Sequence, residues 1–336
     1  MTAQDSATRT SRIAVDGSGA TPAAAPSPTA PPTTQGATAT AGTVTGSTAS
    51  GSTASGTLQA ALGVTAFSLT FPATAWGLEG FGPWSLVAVR SLLAGLLACA
   101  CLLALRVPLP ERRHWAGLAV VAAGVVVGFP LLTTLALQTS TTAHAAVVVG
   151  LLPLTTALFS ALRTGARPSR TFWTAALAGA AAVIAFTVQQ SGGALSTADL
   201  YLFAALLICA AGYTEGGRLA RVMPGWHVIG WALVLCLPLA AVATWFTLAV
   251  EPVRLTAHSV TGMIWLAVGS QWFGLIAWYR GMGTIGVPKA SQLQLAQPLL
   301  TLVWSVLLLG EVLPVAAPLT ALAVLVCIAI TQRARG

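Results

Sequence analysis

Long apolar runs separated by short polar breaks fill the chain from Leu58 to about Ile330. A helix that crosses a membrane needs roughly 20 such residues at 1.5 Å rise each. Ten runs qualify, near residues 58–78, 84–105, 115–137, 142–162, 172–189, 199–214, 228–249, 260–279, 286–309 and 313–331. Gly, Pro and Ser punctuate the breaks, as at Gly80-Phe81-Gly82-Pro83, Ser191-Gly192-Gly193 and Pro224-Gly225. The shortest break, Gln138 to Thr142, separates the third run from the fourth. The pattern predicts an all-α polytopic membrane protein with ten transmembrane helices. Residues 1–57 read differently: Thr, Ala, Ser, Gly and Pro, with no aromatic residue. Such a segment buries too little apolar area to offset the entropy of ordering it, and it is expected to be a disordered cytoplasmic tail. Residues 332–336 form a second, short cytoplasmic tail.

Composition supports the membrane assignment. Only 7% of the 336 residues are charged and the mean hydropathy is +0.81, whereas soluble domains carry about 25% charged residues. The net charge of +8 points to no nucleic-acid partner, because the basic residues are spread between apolar runs and form no basic face. They follow the positive-inside rule instead. With the amino terminus inside, the inner segments hold Arg9, Arg12, Arg106, Arg112, Arg113, Arg163, Arg167, Arg170, Arg218, Arg221, Arg280, Arg333 and Arg335, and the outer loops hold Arg254. A miscounted span would invert every later loop. Both termini are therefore expected in the cytoplasm, with the body in the plasma membrane. Trp84 and Trp304 fall at the outer boundary and Trp115, Trp173 and Trp226 at the inner one, as interfacial belts do. The five cysteines sit inside apolar runs with no His/Cys cluster, so no metal, disulfide or cofactor is expected.

The two halves are related. Aligning Pro153 with Pro298 pairs Ala136–His144 with Gly281–Lys289 without a gap, and Leu154-Thr155-Thr156 with Leu299-Leu300-Thr301. Trp76-Gly77-Leu78-Glu79-Gly80 likewise pairs with the segment Tyr213 to Gly217 around Glu215. The repeats, 58–190 and 191–331, contain five spans each. Because five is odd, the second repeat enters the membrane from the opposite side. Inverted repeats of this kind characterise many secondary transporters, with the substrate near the midplane between the halves.

Ala75-Trp76-Gly77 closing the first span, Pro83 with Arg90 opening the second, Pro153-Leu154 in the fourth, Gln297-Pro298-Leu299 in the ninth and Gly310-Glu311 after it resemble the EamA-type exporters of the drug/metabolite transporter superfamily. The resemblance covers about residues 58–331 and implies a ten-helix exporter. Arg163-Thr164-Gly165-Ala166-Arg167 stands where the family often has Gly-Glu, so Glu311 is expected to lack a partner.

Ionisable and amide side chains inside apolar spans carry the candidate chemistry, since each costs a few kcal/mol at the bilayer centre. Lys289, Gln292, Gln294 and Gln297 make the start of the ninth span polar, and Lys289, Gln292 and Gln297 share one broad helical face. Lining of a cavity is the expectation; snorkelling of Lys289 to the interface is the alternative. Arg90, Trp76 and Tyr213 complete the expected substrate contacts, although Arg90 is also placed to pair with Glu79 across a tight turn. Glu215 is expected to pair with Arg218 or Arg221. His144, in the first-repeat position of Lys289, has the chemistry to carry a coupling proton, with Glu79 as a second coupling candidate. Pro153 and Pro298 each remove a helical hydrogen bond and are expected to break their helices. Gly124-Val125-Val126-Val127-Gly128 fits a helix-packing motif without chemistry.

No Gly-x-x-x-x-Gly-Lys-Ser/Thr loop is present, so ATP is not the expected energy source. Four His and eight acids with no matched set argue against an intramembrane enzyme. The expected function is export of small metabolites, amino acids first and amphipathic drug-like compounds second, by alternating access. The expected partners are a small-molecule substrate and membrane lipid, with a homodimer an allowed assembly.

Overall fold

The computed structural model describes residues 47–164, 169–285 and 293–333. Helices account for all regular structure among them. A backbone in lipid must satisfy its polar groups internally, and a helix does so within one segment. Among the described residues, eight helices are long and apolar enough to cross a membrane, and two shorter apolar ones follow. α1 runs over Ser47–Ser68 and, past a kink at Leu69, Thr70–Leu78. α2 is Pro83–Ala104, α3 Arg112–Ala136, α4 Thr142–Arg163, α5 Arg170–Gln190, α6 Thr197–Leu219, α7 Gly225–Val250 and α8 Ala257–Ile285. α9 is Ala296–Leu309 and α10 Ala316–Arg333.

α1 starts at Ser47, within the stretch expected to be disordered as far as residue 57. Small residues there allow a close approach that composition alone does not reveal. A Cβ on Gly56 would lie 2.7 Å from Thr284 and one on Gly63 2.9 Å from the Trp278 backbone nitrogen. Tertiary packing against α8 stands in for the missing large side chains. Residues 1–46, Lys289, Gln292 and Arg167 lie outside the described residues.

Helix starts follow local chemistry. Ser169 caps α5 by accepting from Phe172 N, and Ser196 with Asp199 forms a reciprocal capping box on α6. Thr256 and Ser259 do the same for α8. The narrow break before α4 is made by Thr141, whose hydroxyl accepts from His144 N. Gly310 ends α9 at φ 65°, a left-handed conformation that glycine adopts without a Cβ penalty.

Packing crosses between the repeats. Neighbours across the repeats include α2 with α7, α1 with α8, α3 with α6, α5 with α10, α4 with both α6 and α9, and α1 with α9. Exchanging each helix for its repeat counterpart, five places along, maps this set of pairs onto itself. The Gly124–Gly128 motif serves α3–α6: a Cβ on Gly124 would stand 2.4 Å from the Ile208 carbonyl oxygen, and one on Gly212 2.8 Å from Val125 Cγ2.

Among the described residues, besides the break in α1 at Leu69, departures from α geometry fall in matched pairs of helices. α3 widens to π-helical turns over Ala122–Gly128 and α8 over Trp265–Gly274. α4 is interrupted at Gly150–Leu151, and the described start of α9 at Leu295, the position that aligns with Gly150. Irregular backbone at membrane depth occurs where it lines a cavity or is buried in protein.

Candidate substrate cavity

The π-helical turns of α3 precede Pro130, which has no N–H to donate to the Val126 carbonyl four residues back. Gln271, in the π-helical part of α8, supplies the donor: its Nε2 lies 3.3 Å from Val126 O. The same arrangement recurs in α1. Pro72 leaves the Ser68 carbonyl without its helical donor, and Thr301 Oγ1 of α9 donates to it at 2.9 Å. Each proline thus exposes a backbone acceptor in the first repeat that a polar side chain of the second repeat satisfies.

Gln271 also orients a cation. Its Oε1 accepts from Arg90 Nε at 2.7 Å. Arg90 is 3% exposed, and among the described residues no carboxylate pairs with it. A guanidinium carries five N–H donors, and a buried charge needs compensation. The expected pairing with Glu79 is not made. Arg90 sits about two turns along α2, roughly 10 Å at 1.5 Å per residue, and turns into the bundle toward α8. Glu79 stays at the end of α1, where it meets His258 Nδ1 at 3.1 Å.

Around Arg90 lies a partly open pocket, walled by Phe67, Phe71 and Phe129 and carrying the polar groups of Thr70, Tyr213, Ser270, Gln271 and Gln297. Thr70 and Ser270 hydroxyls are 2.8 Å apart. A smaller, neighbouring pocket lies between the interrupted segments of α4 and α9 and is lined by Gly150, Pro153, Gln294, Gln297 and Pro298. Gln297 borders both. Of the candidate substrate contacts, Arg90, Tyr213, Gln294 and Gln297 are therefore gathered at these two spaces. Trp76 is not: it stacks on His258 near the end of α1, ring centroids 5.0 Å apart. Lys289 and Gln292 fall outside the described residues.

The remaining charges hold the ends of the bundle. Glu311 does have a partner: its carboxylate accepts from Thr142 N (2.9 Å), Thr142 Oγ1 (2.7 Å) and Ala143 N (3.0 Å), capping α4 from the far side of the repeat boundary. Glu251 caps α2 in the same way, accepting from Ser85 N at 2.7 Å. Carboxylates are favoured at helix amino termini because the unpaired N–H groups point at them. On the opposite side Glu215 takes Arg218 (Nε 2.8 Å) and Arg163 (2.8 Å). Arg163, which opens the segment standing where the family often has Gly-Glu, meets the acid of α6. Trp304, expected at the outer belt, turns inward and donates from Nε1 to Ser68 Oγ at 3.0 Å.

Two residues stood outside the sequence-derived set. Asp199, fully buried, accepts from Ser196 as a helix cap and lies 2.6 Å from His144 Nε2. Its signal was the Ser196-x-x-Asp199 spacing, which reads as a cap. Gln271 was visible as a lone amide in an apolar run.

Comparison with known proteins agrees with this architecture. Residues 54–188 and 196–332 each match the profile of the EamA-like transporter family. The chain belongs to the EamA-like transporter family. This EamA-like chain is 40% identical over 272 residues to YdeK, an uncharacterized transporter of Bacillus subtilis (strain 168), across 81% of this chain and 95% of that one. A crystal structure of another protein, 22% identical, shares the fold with a TM-score of 0.59 over 82% of this chain and 98% of its own. The protein is a multi-pass membrane transporter with two EamA domains.

Proposed function

We propose that this EamA-like transporter exports small carboxylate-bearing metabolites, amino acids foremost, by alternating access between the two repeats. Arg90 carries the reading: a buried guanidinium, held by a neutral amide and by no described carboxylate, beside a pocket that carries aromatic and neutral polar groups. A substrate carboxylate would supply its missing counter-charge in the bidentate geometry that guanidinium favours. Thr70, Ser270 and Gln297 offer neutral acceptors for an ammonium group. Lys289, eight residues before Gln297 in the sequence, would add positive potential for an anion arriving from inside. The orientation follows the arginine distribution: both termini cytoplasmic, in the plasma membrane. The aromatic wall of Phe67, Phe71 and Phe129 favours one second reading, export of amphipathic drug-like compounds.

Counterflow in proteoliposomes separates the two. Labelled amino acids are offered together with their carboxamide analogues, to wild type and to Arg90→Gln. Carboxylates exchange in wild type and not in Arg90→Gln, while amides exchange in neither. Equal exchange of acids and amides assigns the cavity to amphipathic compounds.

A further inference from the structure

His144 and Asp199 join the two repeats at the outer end of the bundle. His144 is on α4, and Asp199 is in the first turn of α6. Oδ1 of Asp199 lies 2.6 Å from His144 Nε2. Oδ2 accepts from Ser191 Oγ, Ser196 N and Ser196 Oγ, each at 2.8 Å. Donors on both oxygens hold Asp199 as the carboxylate. Since a carboxylate only accepts, Nε2 carries the imidazole hydrogen, and Nδ1 is the atom left to take a proton. Nδ1 makes no hydrogen bond among the described residues. Phe186 of α5 stacks on the ring, centroids 5.3 Å apart, and brings no charge. The other ionised group at this end of α4 is Glu311, which caps Thr142 and Ala143. The described residues of α1, α9 and α10 that pack on α4 bring no further ionised group against His144; Glu79, at the end of α1, is engaged with His258.

We propose that His144–Asp199 is a proton-binding site that latches the outer end of the transporter. With Nδ1 free the pair carries one buried negative charge. A proton arriving at Nδ1 makes the imidazolium, and the pair becomes a neutral ion pair across the α4–α6 boundary. Attraction between opposite charges in a water-poor site then holds the two repeats together at their outer ends. Loss of the proton leaves a single hydrogen bond, and the outer ends part more readily. Acid outside therefore favours the outward-closed form. The consequence for transport rests on the alternating-access reading above; the site itself does not.

The test needs no transported substrate. Full-length protein with 15N-labelled histidine is titrated in lipid nanodiscs, and the His144 resonance is assigned by its loss in His144→Gln. Nδ1 gains a proton as the pH of the series falls, and in Asp199→Asn the same protonation requires more acid. Ser191→Ala, which removes one donor from the carboxylate and leaves the rest of the site intact, raises the midpoint and serves if Asp199→Asn fails to insert. In parallel, spin labels at Gln138→Cys and Leu195→Cys, before α4 and α6, report the outer separation. The distance lengthens as pH rises through the His144 midpoint, and in His144→Gln it no longer responds to pH. A His144 that stays in one protonation state over the series, or a pH response that survives His144→Gln unchanged, overturns the proposal. Neither result bears on Arg90 and the counterflow experiment, so the two readings fail separately.

Discussion

Gln271 Nε2 donates to the carbonyl oxygen of Val126, 3.3 Å away, because Pro130 leaves that oxygen without its helical donor. The other end of the same amide accepts from Arg90. One side chain therefore ties α8 to an opened turn of α3 and aims the buried cation of α2. Gln271→Leu is expected to lower stability by about 1–3 kcal/mol, the desolvation penalty of a buried group left unpaired, seen as a lower midpoint in thermal unfolding of the purified protein. Gln271→Glu is the sharper variant. It neutralises Arg90 in place and should abolish exchange of carboxylates, while the thermal midpoint falls because a carboxylate cannot donate to Val126 O. Wild-type carboxylate exchange in Gln271→Glu would remove Arg90 from the binding site.

Lys289 provides the second cation test. Lys289→Ala is expected to abolish transport of anionic or zwitterionic substrates with membrane abundance unchanged, and Lys289→Arg to retain part, since charge survives while geometry changes. Transport at the wild-type rate and affinity in Lys289→Ala would make Lys289 an interfacial anchor.

Glu311 ties the segment after α9 to the amino terminus of α4 through three hydrogen bonds. Glu311→Ala is expected to destabilise the protein by about 1–2 kcal/mol, as loss of a helix cap does. Glu311→Gln keeps an acceptor and should lose less. Equal unfolding midpoints for wild type and Glu311→Ala would show that water replaces the carboxylate at no cost.

Topology is tested by impermeant thiol reagents on a cysteine-free background. A cysteine at Ala194, between α5 and α6, should react from outside the cell. One at Val222, between α6 and α7, should react only after the membrane is opened. Reversed labelling would invert the orientation.

Gly124 faces the Ile208 carbonyl with no room for a side chain. Gly124→Ala is expected to force α3 and α6 apart and lower stability by about 1–3 kcal/mol, the usual penalty for overpacking. A thermal midpoint equal to wild type would show that the helices shift without strain.

Much of this molecule is written locally. Apolar run length and the punctuation between runs place the helices. Ser169, Ser196 and Thr256 start theirs through bonds made within a few residues. The two-fold relation between halves is also legible, since Pro153 and Pro298 and their neighbours repeat in order, and the family profile matches each half separately. Such features need only neighbouring residues or the chain compared with itself.

Partner choice among charges required the tertiary structure. Arg90 and Glu79 are close in sequence, yet Arg90 meets Gln271 and Glu79 meets His258, each about 180 residues away. Glu311 finds the amino terminus of α4, and His144 finds Asp199, by the same crossing of one repeat against the other. The widened turns at Ala122–Gly128 and Trp265–Gly274 carry no proline within them and no local signature. In an apolar bundle nearly every helix face can pack on any other, so sequence pattern sets where the helices are. Which buried donor reaches which buried acceptor is decided only when the helices are packed, because an unpaired polar group in lipid costs more than any one apolar contact returns.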